Sequence, residues 1–94
     1  MYGTCAKMLV KEENREALQK VIDTQMSGDP VAGYVRSYVL RENDTDSNWL
    51  FVIFDDRESY MRNADDPAQH ERFMEIRGLL EADPEWHDGA ISEG

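Results

Sequence analysis

Cysteine, histidine, proline and basic side chains are all scarce in this chain, and each scarcity excludes something. One cysteine, Cys5, stands among 94 residues, so neither an intramolecular disulfide framework nor a multi-cysteine zinc module can form. The two histidines, His70 and His87, fall short of the several converging donors that a zinc or non-haem iron site needs. Neither belongs to a His-x-x-x-His pair. Beside Glu71, Glu85 and Asp88 they are therefore expected at the surface rather than on a metal. Lys and Arg together number 10 against 20 Asp and Glu, a net charge of −10. Such a surface repels nucleic-acid backbones and anionic membranes. No apolar run exceeds Trp49–Phe54, far short of the ~20 residues that span a bilayer. The opening MYGTCAKMLVKEENRE has no signal-like apolar core, so a cytoplasmic protein is expected. With only 6 Gly and 3 Pro, linkers are absent. Gly28 and Gly33 are isolated and lack the spacing of a phosphate loop, so nothing asks for a nucleotide.

What is present outlines one domain over residues 1–94, of βαββαβ order. Tyr2, Thr4, Ala6, Met8 and Val10 alternate with Gly3, Cys5, Lys7 and Leu9, the period of a strand. KEENREALQKVIDTQM then places Ala17, Leu18, Val21, Ile22 and Met26 at helical spacing. Ser27-Gly28-Asp29-Pro30 supplies a stop. Val31–Leu40 reads as a second strand, Arg41–Asn48 as a polar turn and Trp49–Phe54 as a third strand, together a hairpin. Asp55 and Glu58 have the spacing of a capping box for a short helix through about Asn63. Asp66-Pro67 opens another helix, with Phe73, Ile76, Leu79 and Leu80 on one stripe and Pro84 as its end. Glu85–Ser92 is the last strand. The expected fold class is α+β, a ferredoxin-like four-stranded antiparallel sheet.

WLFVIF is apolar on both faces, so both faces of the sheet should be covered. Two helical segments cover only one. An exposed apolar patch of that size marks an interface, and a second copy packed sheet against sheet is the economical solution. A homodimer is expected.

Among chemistry-capable residues, Asp55-Asp56 and Asp65-Asp66 fall where helices begin and read as caps. Cys5 sits mid-strand and reads as a small buried hydrophobe. Most aromatics belong to the core or the dimer seam. Tyr60, on the short helix after the third strand, stands where a cleft between helices and sheet would have its lip. Its hydroxyl is suited to hydrogen-bonding a phenolic substrate as charge develops. Arg36, Arg72 and Asn63 are candidate helpers, as anion stabilisers or amide donor.

The order of elements and the stretch WLFVIFDDRESYMRNADDPAQHERFMEIRGLLEADPEWHDG resemble the antibiotic biosynthesis monooxygenase superfamily, the dimeric α+β barrel proteins. The resemblance covers nearly the whole chain. It implies a homodimer and a cofactor-independent oxygenase acting on a small aromatic molecule of phenolic or hydroquinone type. Once deprotonated, such a substrate reduces dioxygen itself. In the family's oxygenases the third strand offers Asn and Trp to the cleft, and the next helix offers Tyr. The Tyr is retained here as Tyr60; the Trp position holds Phe54 and the Asn position Leu50. An Arg on the later helix corresponds to Arg72. A haem-degrading branch uses an Asn on the first strand, a Trp ending the third and a helical His. Those positions hold Ala6, Phe54 and Phe73 here, with His70 one turn away. A third branch carries a Glu where Val52 stands. The resemblance thus makes Tyr60 and Arg72 the catalytic candidates. Phe54, Leu50, Ala6, Asn63, His70, Trp86 and Arg36 are the binding candidates, with no metal. The competing reading is a small-molecule-binding or accessory protein on the same scaffold.

Overall fold

The computed structural model describes residues 1–93 apart from 27 and 29. Four strands, β1 (Tyr2–Leu9), β2 (Tyr34–Arg41), β3 (Ser47–Phe54) and β4 (Glu85–Ala90), form one sheet in the order β2-β3-β1-β4. All neighbours run antiparallel. Helix α1 (Arg15–Met26) joins β1 to β2, and α2 (Arg57–Ala64) and α3 (Pro67–Arg77) lie between β3 and β4. The ferredoxin-like α+β fold expected from the sequence is the one observed.

Alternation in β1 sorts the two faces. Thr4, Ala6, Met8 and, just past the strand, Val10 are buried. Leu18 and Ile22 of α1 close over Ala6, Met8, Val10, Leu50 and Leu80 as the core. Burial of such aliphatic side chains stabilises by ~1.5–3 kcal/mol each. Val21 of the expected helical stripe is half-buried and Ala17 is exposed, because the stripe touching the sheet is narrower than the apolar spacing.

Several boundaries differ from those read in the sequence. The first helix opens with a single 3₁₀ turn, Glu12–Asn14, before α1. Ser27 and Asp29 of the expected stop lie outside the described residues. Strand β2 begins three residues late, because Gly33 turns the chain at φ +81°. β3 begins two residues early, at Ser47, after a turn in which Asp44 takes φ 63°. The cap of α2 is Asp56, whose side chain accepts from the Ser59 N–H at 2.7 Å. Asp55 lies one residue before the cap, and its N–H donates to the Gly33 carbonyl at 2.8 Å. Asp66 caps α3 as expected, accepting from the Ala68 N–H at 2.9 Å with Pro67 behind it. Helix α3 ends at Arg77 with Gly78 as its cap, not at Pro84, so Leu79 and Leu80 reach the core from the turn that follows.

Gly33 couples two elements. A Cβ there would overlap the Ser59 side chain at the start of α2, and a positive φ disfavours any L-residue. Gly33→Ala is expected to cost about 2–3 kcal/mol in urea unfolding. Gly78→Ala is the control. Its backbone is right-handed and a Cβ would meet only ordinary contacts, so stability should hold or rise slightly.

The face of the sheet away from the helices carries Trp49, Phe51 and Ile53 from β3, with Tyr38 and Leu40 from β2. Phe51 is 36%, Tyr38 53% and Leu40 52% exposed in the single chain. Cys5 lies on this face between Phe51 and His87. It is half-buried rather than enclosed.

Candidate functional site

The helix-facing side of β1, β3 and β4 converges on Tyr60. Phe54 ends β3, the Asp56 cap starts α2, and one turn later Tyr60 points back over the sheet. Its ring meets Phe54 edge-on at 5.7 Å and Tyr2 at 5.3 Å. Tyr34 continues the cluster against Phe54 at 5.8 Å, and the Arg57 guanidinium sits 5.8 Å from the Tyr2 ring. Edge-to-face pairs add ~0.5–1.5 kcal/mol beyond burial, so the phenol is firmly seated.

The Tyr60 hydroxyl donates to Asp88 Oδ1 at 2.9 Å. Asp88 is exposed on β4 and pairs directly with Thr4 of β1. The Thr4 hydroxyl donates to the His87 carbonyl at 3.3 Å. Burial pushes the Tyr60 hydroxyl up to about 12, helped by its hydrogen bond to Asp88 and by that carboxylate's charge, with Thr4 pulling weakly the other way. Tyr60 therefore stays protonated at neutral pH. It can pass a proton on to Asp88 but cannot itself serve as a standing phenolate base.

A linked stability effect follows from this shift. The folded state raises the Tyr60 value above that of a free phenol, so its contribution is complete below pH ~10 and is lost as pH climbs towards 12. Tyr60 is half-buried, and screening by solvent on its open side limits the effect to about 1 kcal/mol. Over that window the wild type should lose this increment relative to Tyr60→Phe in urea unfolding. Parallel curves would contradict the shift.

The candidates read from the sequence do not all gather here. Trp86 shares the Asp88 side of β4 and meets Phe73 of α3 in a tilted ring contact at 5.8 Å. Phe54 is 1% exposed and lies beneath Tyr60, seating the phenol rather than forming a wall. Ala6 at 0% and Leu50 at 8% are core residues under α1, on the expected face but covered. His70 is exposed on α3. Arg36 lies on the opposite face of the sheet, its guanidinium donating to the Tyr38 hydroxyl at 3.2 Å. A bulge between Tyr34 and Arg36 causes this: Tyr34 pairs with Phe54 while Arg36 pairs with Ile53, on opposite faces. Asn63 and Arg72 line a separate hollow of about 240 Å³ with Pro30, Val31, Ala32, Ser59, Arg62 and Asp66. Tyr60 is not part of it. A second hollow, of about 490 Å³, lies on the exposed sheet face around Cys5, Phe51, His87 and Gly89.

Asp88 and Thr4 are the residues that sequence reading passed over as partners of Tyr60. In the sequence Asp88 stands out only as a neighbour of His87. Among the described residues, no three or more His, Cys, Asp and Glu side chains converge as a metal site would require. No described helix is long and apolar enough to cross a membrane.

No protein-family model matches the chain, and no curated protein matches it in sequence. Its fold is nevertheless shared with solved structures over nearly full length. A protein from Chloroflexus aurantiacus assigned as an antibiotic biosynthesis monooxygenase superposes with a TM-score of 0.75 at 24% identity, covering 99% of this chain and 94% of that one. SnoaB, a cofactor-independent oxygenase from Streptomyces nogalater, gives 0.79 at 18% identity, covering 99% and 94%. A Deinococcus radiodurans protein assigned to the same monooxygenases gives 0.71 at 12% identity, covering 100% and 95%. At these identities the shared property is the fold alone, the ferredoxin-like α+β arrangement described above.

Proposed function

We propose that this chain is a homodimeric, cofactor-independent monooxygenase of small phenolic or hydroquinone-type aromatics. The observation that carries the reading is the Tyr60–Asp88 pair at 2.9 Å, seated on an aromatic cluster and open on the Asp88 side. Likeness of fold to a cofactor-independent oxygenase agrees with it.

The chemistry asks little of the protein. A phenol docked against Tyr60 gives its proton to the Tyr60 oxygen as the Tyr60 proton moves to Asp88. The Tyr60 hydroxyl is thus never left ionised, as its raised value requires. The resulting phenolate is electron-rich enough to reduce dioxygen. In an anthrone, a carbon–oxygen bond forms at the methylene carbon, the peroxide loses water, and a carbonyl remains. One oxygen atom enters the product and the other leaves as water. Trp86 and Phe73 offer flat apolar surface for the ring.

Oxygen uptake by metal-stripped protein, over a panel of anthrones, hydroquinones and catechols, tests the reading. Uptake above the buffer blank that Tyr60→Phe lacks would support it. Equal uptake in both proteins would remove Tyr60 from the chemistry.

The apolar sheet face is the dimer seam in this reading, because Tyr38, Leu40 and Phe51 otherwise stand in water. Sedimentation should give twice the chain mass at micromolar concentration, and Phe51→Asp should give the monomer. A wild-type monomer would contradict the seam.

A second reading, binding without turnover, is favoured by one observation. Ala6 and Leu50, which stand where family members place polar cleft residues, are apolar core here. Binding of a panel compound without oxygen uptake would select it.

A further inference from the structure

We propose that the hollow between α2, α3 and the segment before β2 binds a small carboxylate carrying a short apolar or aromatic body. The site is independent of the Tyr60 centre and stands whether or not the oxygenase reading holds.

The polar lining is dominated by donors. Arg62 and Arg72 come from different helices, and Asn63 and Ser59 add an amide and a hydroxyl. Two guanidiniums facing one hollow are unusual in a chain whose acidic residues outnumber its basic ones two to one. Arg72 is half-buried, and its Nη1 donates at 2.8 Å to the neutral Gln69 Oε1. It takes part in none of the ion pairs of the described residues. A partly desolvated guanidinium with only a neutral acceptor retains donors for an incoming oxyanion. Arg62 is paired with Glu58 at 3.1 Å, but both side chains are exposed, and such pairs hold weakly, so Arg62 is free to turn inward. Among the described residues lining the hollow, one carries a like charge, Asp66. Its Oδ1 is already engaged by the Ala68 N–H, where the start of α3 offsets its charge.

The opposite wall sets the rest of the ligand. Pro30, Val31 and Ala32 are apolar, so a bare inorganic anion would leave them unused. A volume of about 240 Å³ lies just under the ~300–1,000 Å³ usual for drug-sized ligands, so the occupant is small. Fork-like bidentate recognition by Arg favours a planar carboxylate. A monocarboxylate the size of benzoate meets all three requirements.

Titration calorimetry with benzoate, benzyl alcohol and inorganic phosphate tests the assignment. Benzoate should bind saturably and weaken with added salt. Benzyl alcohol, the uncharged analogue, should give no heat, and phosphate should bind at least tenfold more weakly. Arg72→Gln should weaken benzoate at least tenfold. Ala32→Trp, at an exposed turn position, should abolish binding by filling the apolar wall while both arginines remain. If Arg72→Gln melts below the assay temperature, Arg62→Gln on its exposed side chain takes its place, with a smaller loss of a few-fold. Absence of benzoate binding to the wild type, affinity unchanged in the arginine variants, or phosphate binding as tightly as benzoate would each overturn the proposal.

Discussion

Asp88→Asn is expected to lower kcat for oxygen uptake by about 100- to 10,000-fold, the range that a positioned proton acceptor supplies. The amide keeps an oxygen for the Tyr60 hydroxyl to donate to, so the 2.9 Å contact and the seating of the ring survive. What disappears is the ability to receive the proton. KM should change little, because the substrate meets Tyr60, Trp86 and Phe73 rather than the carboxylate. Tyr60→Phe should fall as far, and the double variant no further, since the two groups act as one relay. Activity within threefold of wild type in Asp88→Asn would show that the carboxylate takes no proton.

The largest stability effect should come from Phe54→Ala. Phe54 is enclosed at 1% exposure and contacts both Tyr34 and Tyr60 edge-on. Emptying such a site costs about 3–5 kcal/mol. A domain of this size has only ~5–15 kcal/mol in total, so a large part of its stability would be lost. Trp86→Ala is the contrast. Trp86 is large but exposed on β4, touching Phe73 alone among the aromatic rings, and its loss should cost under about 1 kcal/mol. Urea unfolding of the two variants separates them. Similar costs would mean that Trp86 is packed as tightly as the core.

The fold was legible where the signal is local. Period-two alternation in Tyr2–Val10 identifies β1 and its buried face, because strand geometry alone sends Thr4, Ala6 and Met8 to one side. The two-sided apolar run of β3 foretells an exposed sheet face. Tandem carboxylates were harder. Asp55 and Asp56 are equivalent by composition, and the cap falls to Asp56 because the helix starts at Arg57, which puts the Ser59 N–H within its reach. The end of α3 is hidden in the sequence because Leu79 and Leu80 keep helical spacing after the helix has stopped.

The site was half legible. Tyr60 sits at a fixed step after the strand-ending Phe54, a local relation. Its partner Asp88 comes from 28 residues away, through the register of β1 with β4, which no local pattern in EWHDGA reveals. Which face of β2 carries Arg36 is open in the sequence, and the bulge between Tyr34 and Arg36 decides it for the face away from Tyr60. One extra residue in the strand turns every later side chain to the other face.

The most direct test of the central claim is the fate of labelled dioxygen. Metal-stripped protein would be incubated under ¹⁸O₂ with an anthrone, and the quinone examined by mass spectrometry. A monooxygenase working through the Tyr60–Asp88 relay puts one labelled atom into the product carbonyl, at a rate that collapses in Asp88→Asn. Unlabelled product, peroxide released in step with oxygen consumed, or labelling undiminished by Asp88→Asn would contradict it.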